Sequence, residues 1–247
     1  KVRHPSELDI KSPIIPWAQT PGLKEPESAG GRDDKTLIAA YYAMIKLVDD
    51  QVGRMLEALE ETGQRENTLI IFMSDHGETL GDHGLIQKGC RFYEGLVRVP
   101  LIVSWPDKIQ SGIVNPALVE LRDIAPMLLE LGGVDVPDGA DSPSLLPMVM
   151  GEKAPEEHRD FVRCEYYNAL DQQDNTFATM YRDKRYKLVV YHGHGLGELY
   201  DLQEDPQEFE NLWDDVDHQV IKMDLMQCSF DASMLAMDKG PPRIGPM

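Results

Sequence analysis

Apolar positions along the chain follow two periods, and the change from one to the other organises it. Ile38, Tyr41, Ile45, Val48, Val52, Met55 and Leu59 alternate three and four apart, which draws a single stripe along a helix. Asp33 or Asp34 supplies a cap at its start and Thr62-Gly63 a stop. Heptad-like spacing also suits a coiled coil, but the reading taken is a single helix packed on a sheet. The run Leu69-Ile70-Ile71-Phe72-Met73 then reads as a buried strand that expects parallel neighbours, and Val99-Pro100-Leu101-Ile102-Val103-Ser104-Trp105 as a second. A helix is predicted from Asp123, its N-cap, to Gly132-Gly133, with Pro126 tolerated in the first turn. Alternating strand and helix up to about residue 135 predicts an α/β sheet.

The pattern then shortens. Pro137 to Pro155 reads as loop, while residues 161–166, 176–182 and 186–191 read as short strands, with a turn at Asp183-Lys184. Glu198-Leu199-Tyr200-Asp201-Leu202 adds another piece, so a small antiparallel sheet with a helix is expected beside the first layer. Pro5, Pro13, Pro16, Pro21 and Pro26 make the start an extended connector, and the Met-, Gly- and Pro-rich stretch from Cys228 a surface tail. The expected division is connector 1–32, α/β part 33–158, antiparallel part 159–227 and tail 228–247.

Composition narrows the classes of partner. Of 247 residues, 42% are hydrophobic, enough for a real core. A net charge of −19 argues against nucleic acid, whose binding needs a basic face. No apolar run reaches the length of a membrane span, and no signal peptide opens the chain. Three scattered cysteines, Cys90, Cys164 and Cys228, make no disulfide framework and favour a reducing compartment, so cytoplasm is preferred to periplasm or secretion.

Candidate chemistry gathers after the first strand. Ser74-Asp75-His76-Gly77-Glu78 places a carboxylate and an imidazole at the strand's carboxyl end, where ligands bind in open α/β sheets. Gly81-Asp82-His83-Gly84, Lys88 and Tyr93-Glu94-Gly95 follow. Taken alone, an Asp-His-Gly is as well explained by a turn-capping Asp and a core imidazole, and a lone Lys by a solvated surface. His192-Gly193-His194-Gly195, without acids or thiols nearby, reads as a hairpin tip.

These ordered motifs, with Arg98-Val99-Pro100, resemble the C-terminal half of the sulfatases, in the alkaline-phosphatase superfamily alongside phosphonate monoester hydrolases. Asp49-Asp50-Gln51-Val52-Gly53, Asp123-Ile124-Ala125-Pro126 and Glu198 to Leu202 with Asp205-Pro206 and Glu210-Asn211-Leu212 agree, so the likeness covers most of residues 35–213. The resemblance implies an alkaline-phosphatase-like sheet flanked by helices, partial because the N-terminal half is missing, with a small C-terminal antiparallel sheet plus helix. It implies Asp75 and His76 as ligands of a divalent metal, Ca²⁺ first and Mn²⁺ or Mg²⁺ as alternatives. Lys88 is implied as the contact to the sulfate of a small anionic ester, and His83 as a donor to the leaving oxygen or an orienting group, with a structural role weighed equally. Glu78 and Asp82 read by default as exposed loop acids, with support of the metal ligands the alternative; Arg98 pairs with Glu94, and Tyr200 and Asp201 pin the C-terminal sheet.

The chain departs from the family in one respect. The Cys/Ser-x-Pro/Ala-x-Arg segment that becomes formylglycine is not found at Cys90 or Cys164, and the N-terminal pair of metal-binding acids is absent as well. His4 falls where relatives have a connector. The expectation is therefore part of a sulfate-ester hydrolase whose nucleophile lies in the missing half, inactive by itself. Phosphonate monoester or phosphodiester hydrolysis is the alternative chemistry, and a non-catalytic metal- or partner-binding module the alternative class. Strands expecting absent neighbours would leave an open sheet that favours homo-oligomers.

Overall fold

The computed structural model describes residues 34–85, 87–168 and 176–237. The expected connector, with His4, lies outside them, as does the chain beyond 237.

Helix α1, Asp34–Glu61, forms where the period predicts it. It ends as Thr62 N and Gln64 N bond back to Ala58 O and Leu59 O, with Gly63 at φ 65°. Its stripe is not buried, contrary to expectation: Ile45, Val48 and Met55 are 49%, 53% and 65% exposed. No α1 side chain enters a core cluster of the described residues, so the helix is not packed on the strands as expected.

Strand β1, Ile70–Met73, is followed by the single-turn helix α2, Glu94–Val97, and by strand β2, Leu101–Ser104. β1 and β2 pair with each other in antiparallel register, Phe72 opposite Ile102, where parallel neighbours were expected for β1. One face of this ribbon, through Ile71 and Leu101, packs on Ile124, Met127, Leu145 and Met148. The other carries Phe72 and Ile102, 37% and 58% exposed, so the strands are half-covered rather than buried.

Helix α3, Ile124–Leu131, follows a 3₁₀ turn at Leu121–Asp123. Asp123 does not cap α3 with its side chain. Its carboxylate is fully buried and instead gathers Glu120 N, Ser142 Oγ, His158 Nε2 and Arg159, tying α3 to the approach of the second sheet. The stretch expected as loop contains one helical turn, α4, Leu146–Val149, because Leu145 and Met148 have a core to enter.

Strands β3 (Val162–Tyr167), β4 (Phe177–Arg182), β5 (Tyr186–Tyr191) and β6 (Leu196–Asp201) form an antiparallel meander in that order. Asp183 makes the β4–β5 turn by accepting Arg185 N and Tyr186 N. Strand alternation divides the sheet's side chains. Val189 and Tyr191 face Cys90 and Phe92 on one side, while Leu188, Leu199 and Tyr181 face helix α5, Gln219–Leu235, on the other. α5 runs through Cys228, which corrects the expected tail boundary. Leu225 and Ala232 bury against the sheet and make helix of a stretch whose composition suggested a coil. No helix among the described residues is long and apolar enough to cross a membrane.

Candidate active site

The turn after β1 is built by short-range bonds. Ser74 Oγ donates to His76 O at 2.8 Å, and Asp75 Oδ1 accepts His76 N at 2.9 Å. That amide bond, more than any neighbouring charge, holds the Asp75 carboxyl below its ordinary range, so it is an anion at neutral pH. It is also exposed.

His76 has a defined tautomer. Nδ1 lies 2.9 Å from Gly77 O, which can only accept, so Nδ1 carries the proton. The lone pair on Nε2 then faces outward, 2.7 Å from Lys88 Nζ and 3.5 Å from Asp75 Oδ2. Lys88 reaches this point because residues 78–88 close on themselves. Glu78 Oε1 accepts Leu80 N and Gln87 N, Thr79 Oγ1 donates to Gln87 O at 2.9 Å, and Gly81 N bonds Leu85 O at 2.7 Å. Glu78 thus closes this loop, a loop acid as its default reading had it. Leu80, His83 and Gln87 take positive φ to make the turns.

Asp75, His76 and Lys88 therefore come together, with His76 Nε2 2.7 Å from the Lys88 amine and 3.5 Å from the Asp75 carboxylate. The donor set fits half of a divalent-metal site, carboxylate plus imidazole. Among the described residues no group of three or more His, Cys, Asp or Glu could hold a metal.

His83 goes elsewhere. It is buried and stacked on Tyr93, ring centroids 3.9 Å apart and planes within 6°, with Phe209 at 5.2 Å. With Asp82, Thr79 and Glu208 it lines a small cavity of about 220 Å³, whereas Asp75 and His76 line a separate cleft of about 1620 Å³ with Val97, Arg98, Arg182 and Lys184. His83 thus lies apart from Asp75 and His76, its ring packed on Tyr93, an arrangement that suits the orienting and structural readings. Asp82 lines the same small cavity. Arg98 does pair with Glu94, loosely, at 3.9 Å. Tyr200 is buried, and Asp201 accepts Arg185 Nη2 at 2.6 Å, so both pin the sheet as expected. His192 and His194 sit at the β5–β6 hairpin, where His192 Nε2 meets Thr179 Oγ1 at 2.9 Å.

Sequence reasoning missed the buried ions behind this loop. Lys187 is fully buried, with Glu208 and Glu94 around it. The available signal was alternation: Lys187 shares a strand face with Val189 and Tyr191, where a lysine without a partner would be costly.

The fold and this turn define an alkaline-phosphatase-like α/β chain with an appended antiparallel sheet. Residues 81–232 match the family model for N-sulphoglucosamine sulphohydrolase, C-terminal, and residues 15–134 match the sulfatase model. An arylsulfatase of Clostridium perfringens is 33% identical over 83% of this chain and 43% of its own length. An N-acetylglucosamine-6-O-sulfatase of Bacteroides thetaiotaomicron is 32% identical over 81% of this chain and 36% of its own. The solved phosphonate monoester hydrolase of Agrobacterium radiobacter superposes with a TM-score of 0.76 at 32% identity, covering 84% of this chain and 43% of that one. The chain belongs to the sulfatase family. It spans roughly two fifths of the length of these relatives.

Proposed function

We propose that this chain supplies the C-terminal part of a sulfate-ester hydrolase site. The observation that carries the reading is the convergence of Asp75, His76 and Lys88 on one turn. Asp75 and the outward lone pair of His76 Nε2 would hold a divalent cation, with Ca²⁺ preferred and Mn²⁺ or Mg²⁺ as alternatives. Such a cation, when bound, neutralises charge on an anionic ester and lowers the pKa of an attacking group. Lys88 acts as a point charge on the tetrahedral anion, whose oxygens move during transfer. Its ammonium now donates to His76, and the ester or the cation would take its place there. The formylglycine nucleophile and the remaining ligands are assigned to the rest of the protein.

Relatives named as sulfatases support the sulfate reading. The phosphonate monoester hydrolase superposition makes phosphonate or phosphodiester cleavage the second reading, since the two ester classes differ by charge more than by shape. None of Cys90, Cys164 and Cys228 is in a disulfide, which supports a reducing compartment and hence the cytoplasm.

The test is turnover of an aryl sulfate and an aryl phosphonate by the full-length protein, with Ca²⁺ or Mn²⁺. Sulfate turnover lost on chelation and restored by metal is expected. A protein that cleaves neither ester would overturn the reading in favour of a binding module.

A further inference from the structure

Lys187 lies on the sheet face turned toward the site loop, and its ammonium is fully committed. Nζ donates to Phe92 O at 2.9 Å and to Glu208 Oε1 at 2.7 Å, and meets Glu94 Oε1 at 2.6 Å, so each proton has its acceptor. The other oxygen of Glu208 accepts Glu94 N at 2.7 Å, and Arg182 Nε donates to Glu94 Oε1 at 3.3 Å. Residues 92–94 are thereby gripped by Lys187 and Arg182 of the sheet and by Glu208 of the loop after β6.

The next two residues hold the metal turn. Gly95 O accepts Glu78 N at 3.2 Å, and Leu96 O accepts Gly77 N at 2.8 Å. Upstream of Phe92, Arg91 is anchored to the same sheet through Tyr191 Oη at 3.1 Å and Glu198 Oε1 at 3.3 Å. The backbone from 91 to 96 is thus a beam, fixed to β5 and β6 on one side and carrying the Asp75-His76 turn on the other. Lys88 leaves one end of it.

We infer that Lys187 is a positioning residue: through Phe92, Glu94 and Glu208 it sets the placement of the Asp75-His76 pair relative to Lys88. The inference rests on the sulfatase reading of that site. The charge balance explains why a lysine is required. Burial pushes the Glu208 carboxyl up, and Lys187 offsets this only in part. Burial acts likewise on Glu94, but there Lys187 and Arg182 outweigh it and hold the carboxyl down.

Removing Lys187 alone would strand two buried acids, so the test is the charge-balanced pair Lys187→Met with Glu208→Gln, in the full-length protein. Melting temperature, Mn²⁺ affinity by titration, and kcat and KM on an aryl sulfate are read together. The expected result is a folded protein whose Mn²⁺ Kd rises about 10-fold, within the range for outer-shell partners of metal ligands, with kcat falling at least as far. A role in stability alone would lower the folded fraction and leave Kd and KM of the folded molecules unchanged; that result overturns the inference. If the double variant does not fold, Glu208→Ala decides. It leaves Lys187 and Glu94 balanced but frees the Glu94 amide, and Kd is expected to rise about threefold or more. An unchanged Kd in that folded variant also overturns the inference. Should the wild-type protein bind Mn²⁺ yet cleave neither ester, the activity reading fails while the affinity measurement still judges Lys187.

Discussion

Gly77 and Gly95 meet backbone to backbone: a Cβ on residue 77 would stand 1.9 Å from Gly95 O and 2.9 Å from Gly95 C. Gly77 is not among the positive-φ glycines, so the requirement is close approach and not an unusual turn. Gly77→Ala must separate the Asp75-His76 turn from the loop, breaking the bond from Gly77 N to Leu96 O. A loss of about 3 kcal/mol is expected, the upper end for overpacking, because a carbonyl cannot swing aside as a side chain can. Chemical denaturation measures it. Residual folded enzyme should bind metal weakly, since Asp75 and His76 ride on the displaced turn.

How much of this could be read from the chain depends on range. The strand Ile70–Met73 and the acid and imidazole at its tip were legible because period, composition and motif agree over a few residues. The meander of β3 to β6 was legible for the same reason. The antiparallel pairing of β1 with β2 was not, because pairing direction depends on a connection of 27 intervening residues with no local signature. His83 misled because Gly-Asp-His-Gly looks like chemistry locally, and only the folded chain brings Tyr93 under its ring. Lys187 escaped notice because its partners Glu94 and Glu208 are distant in sequence.

On the proposed reading, Asp75→Ala removes the carboxylate that the turn offers to a divalent cation. In the full-length protein its Mn²⁺ Kd should rise by about 100-fold or more, since even outer-shell changes cost 10–100-fold. Excess metal should recover part of the rate. A variant with unchanged affinity would remove Asp75 from the ligand set.

Lys88→Ala should act differently. The residue contacts His76 Nε2 but is not a ligand donor while protonated, so metal affinity is expected to hold or improve slightly as a competing cation leaves. The value of kcat/KM should fall about 10²–10³-fold, the cost of removing one donor to developing charge. Steady-state kinetics with parallel Mn²⁺ titration separates Lys88 from Asp75.

Arg185 and Asp201 predict an acid limit. The hydrogen bond from Arg185 leads the effects that hold the Asp201 carboxyl below its ordinary value. A carboxyl depressed in the fold adds stability above its unfolded pKa of about 3.9, and that stability is lost as pH falls through the lower folded value. Arg185→Met should therefore be less stable than wild type at pH 7, with the gap closing below about pH 4. Urea midpoints across pH 2.5–7 test this, and a constant gap would dismiss the pair as the cause.

Gly197 and Trp213 carry the last prediction. A Cβ at 197 would lie 2.2 Å from Trp213 Cζ3 and 2.4 Å from Cε3, so the indole lies flat where a side chain would be. The contact is with a side chain, unlike that at Gly77, and relief is available by rotating the ring off the sheet. Trp213 also holds Lys222 of α5, whose Nζ donates to Trp213 O and lies 4.6 Å from the ring centroid. Gly197→Ala should therefore cost about 1–3 kcal/mol and loosen α5 rather than unfold the sheet. The expected signature is a changed Trp213 fluorescence and faster amide exchange along α5, with exchange in β4 and β5 little altered. Uniform loss of protection across sheet and helix would show instead that Trp213 supports the whole appended layer.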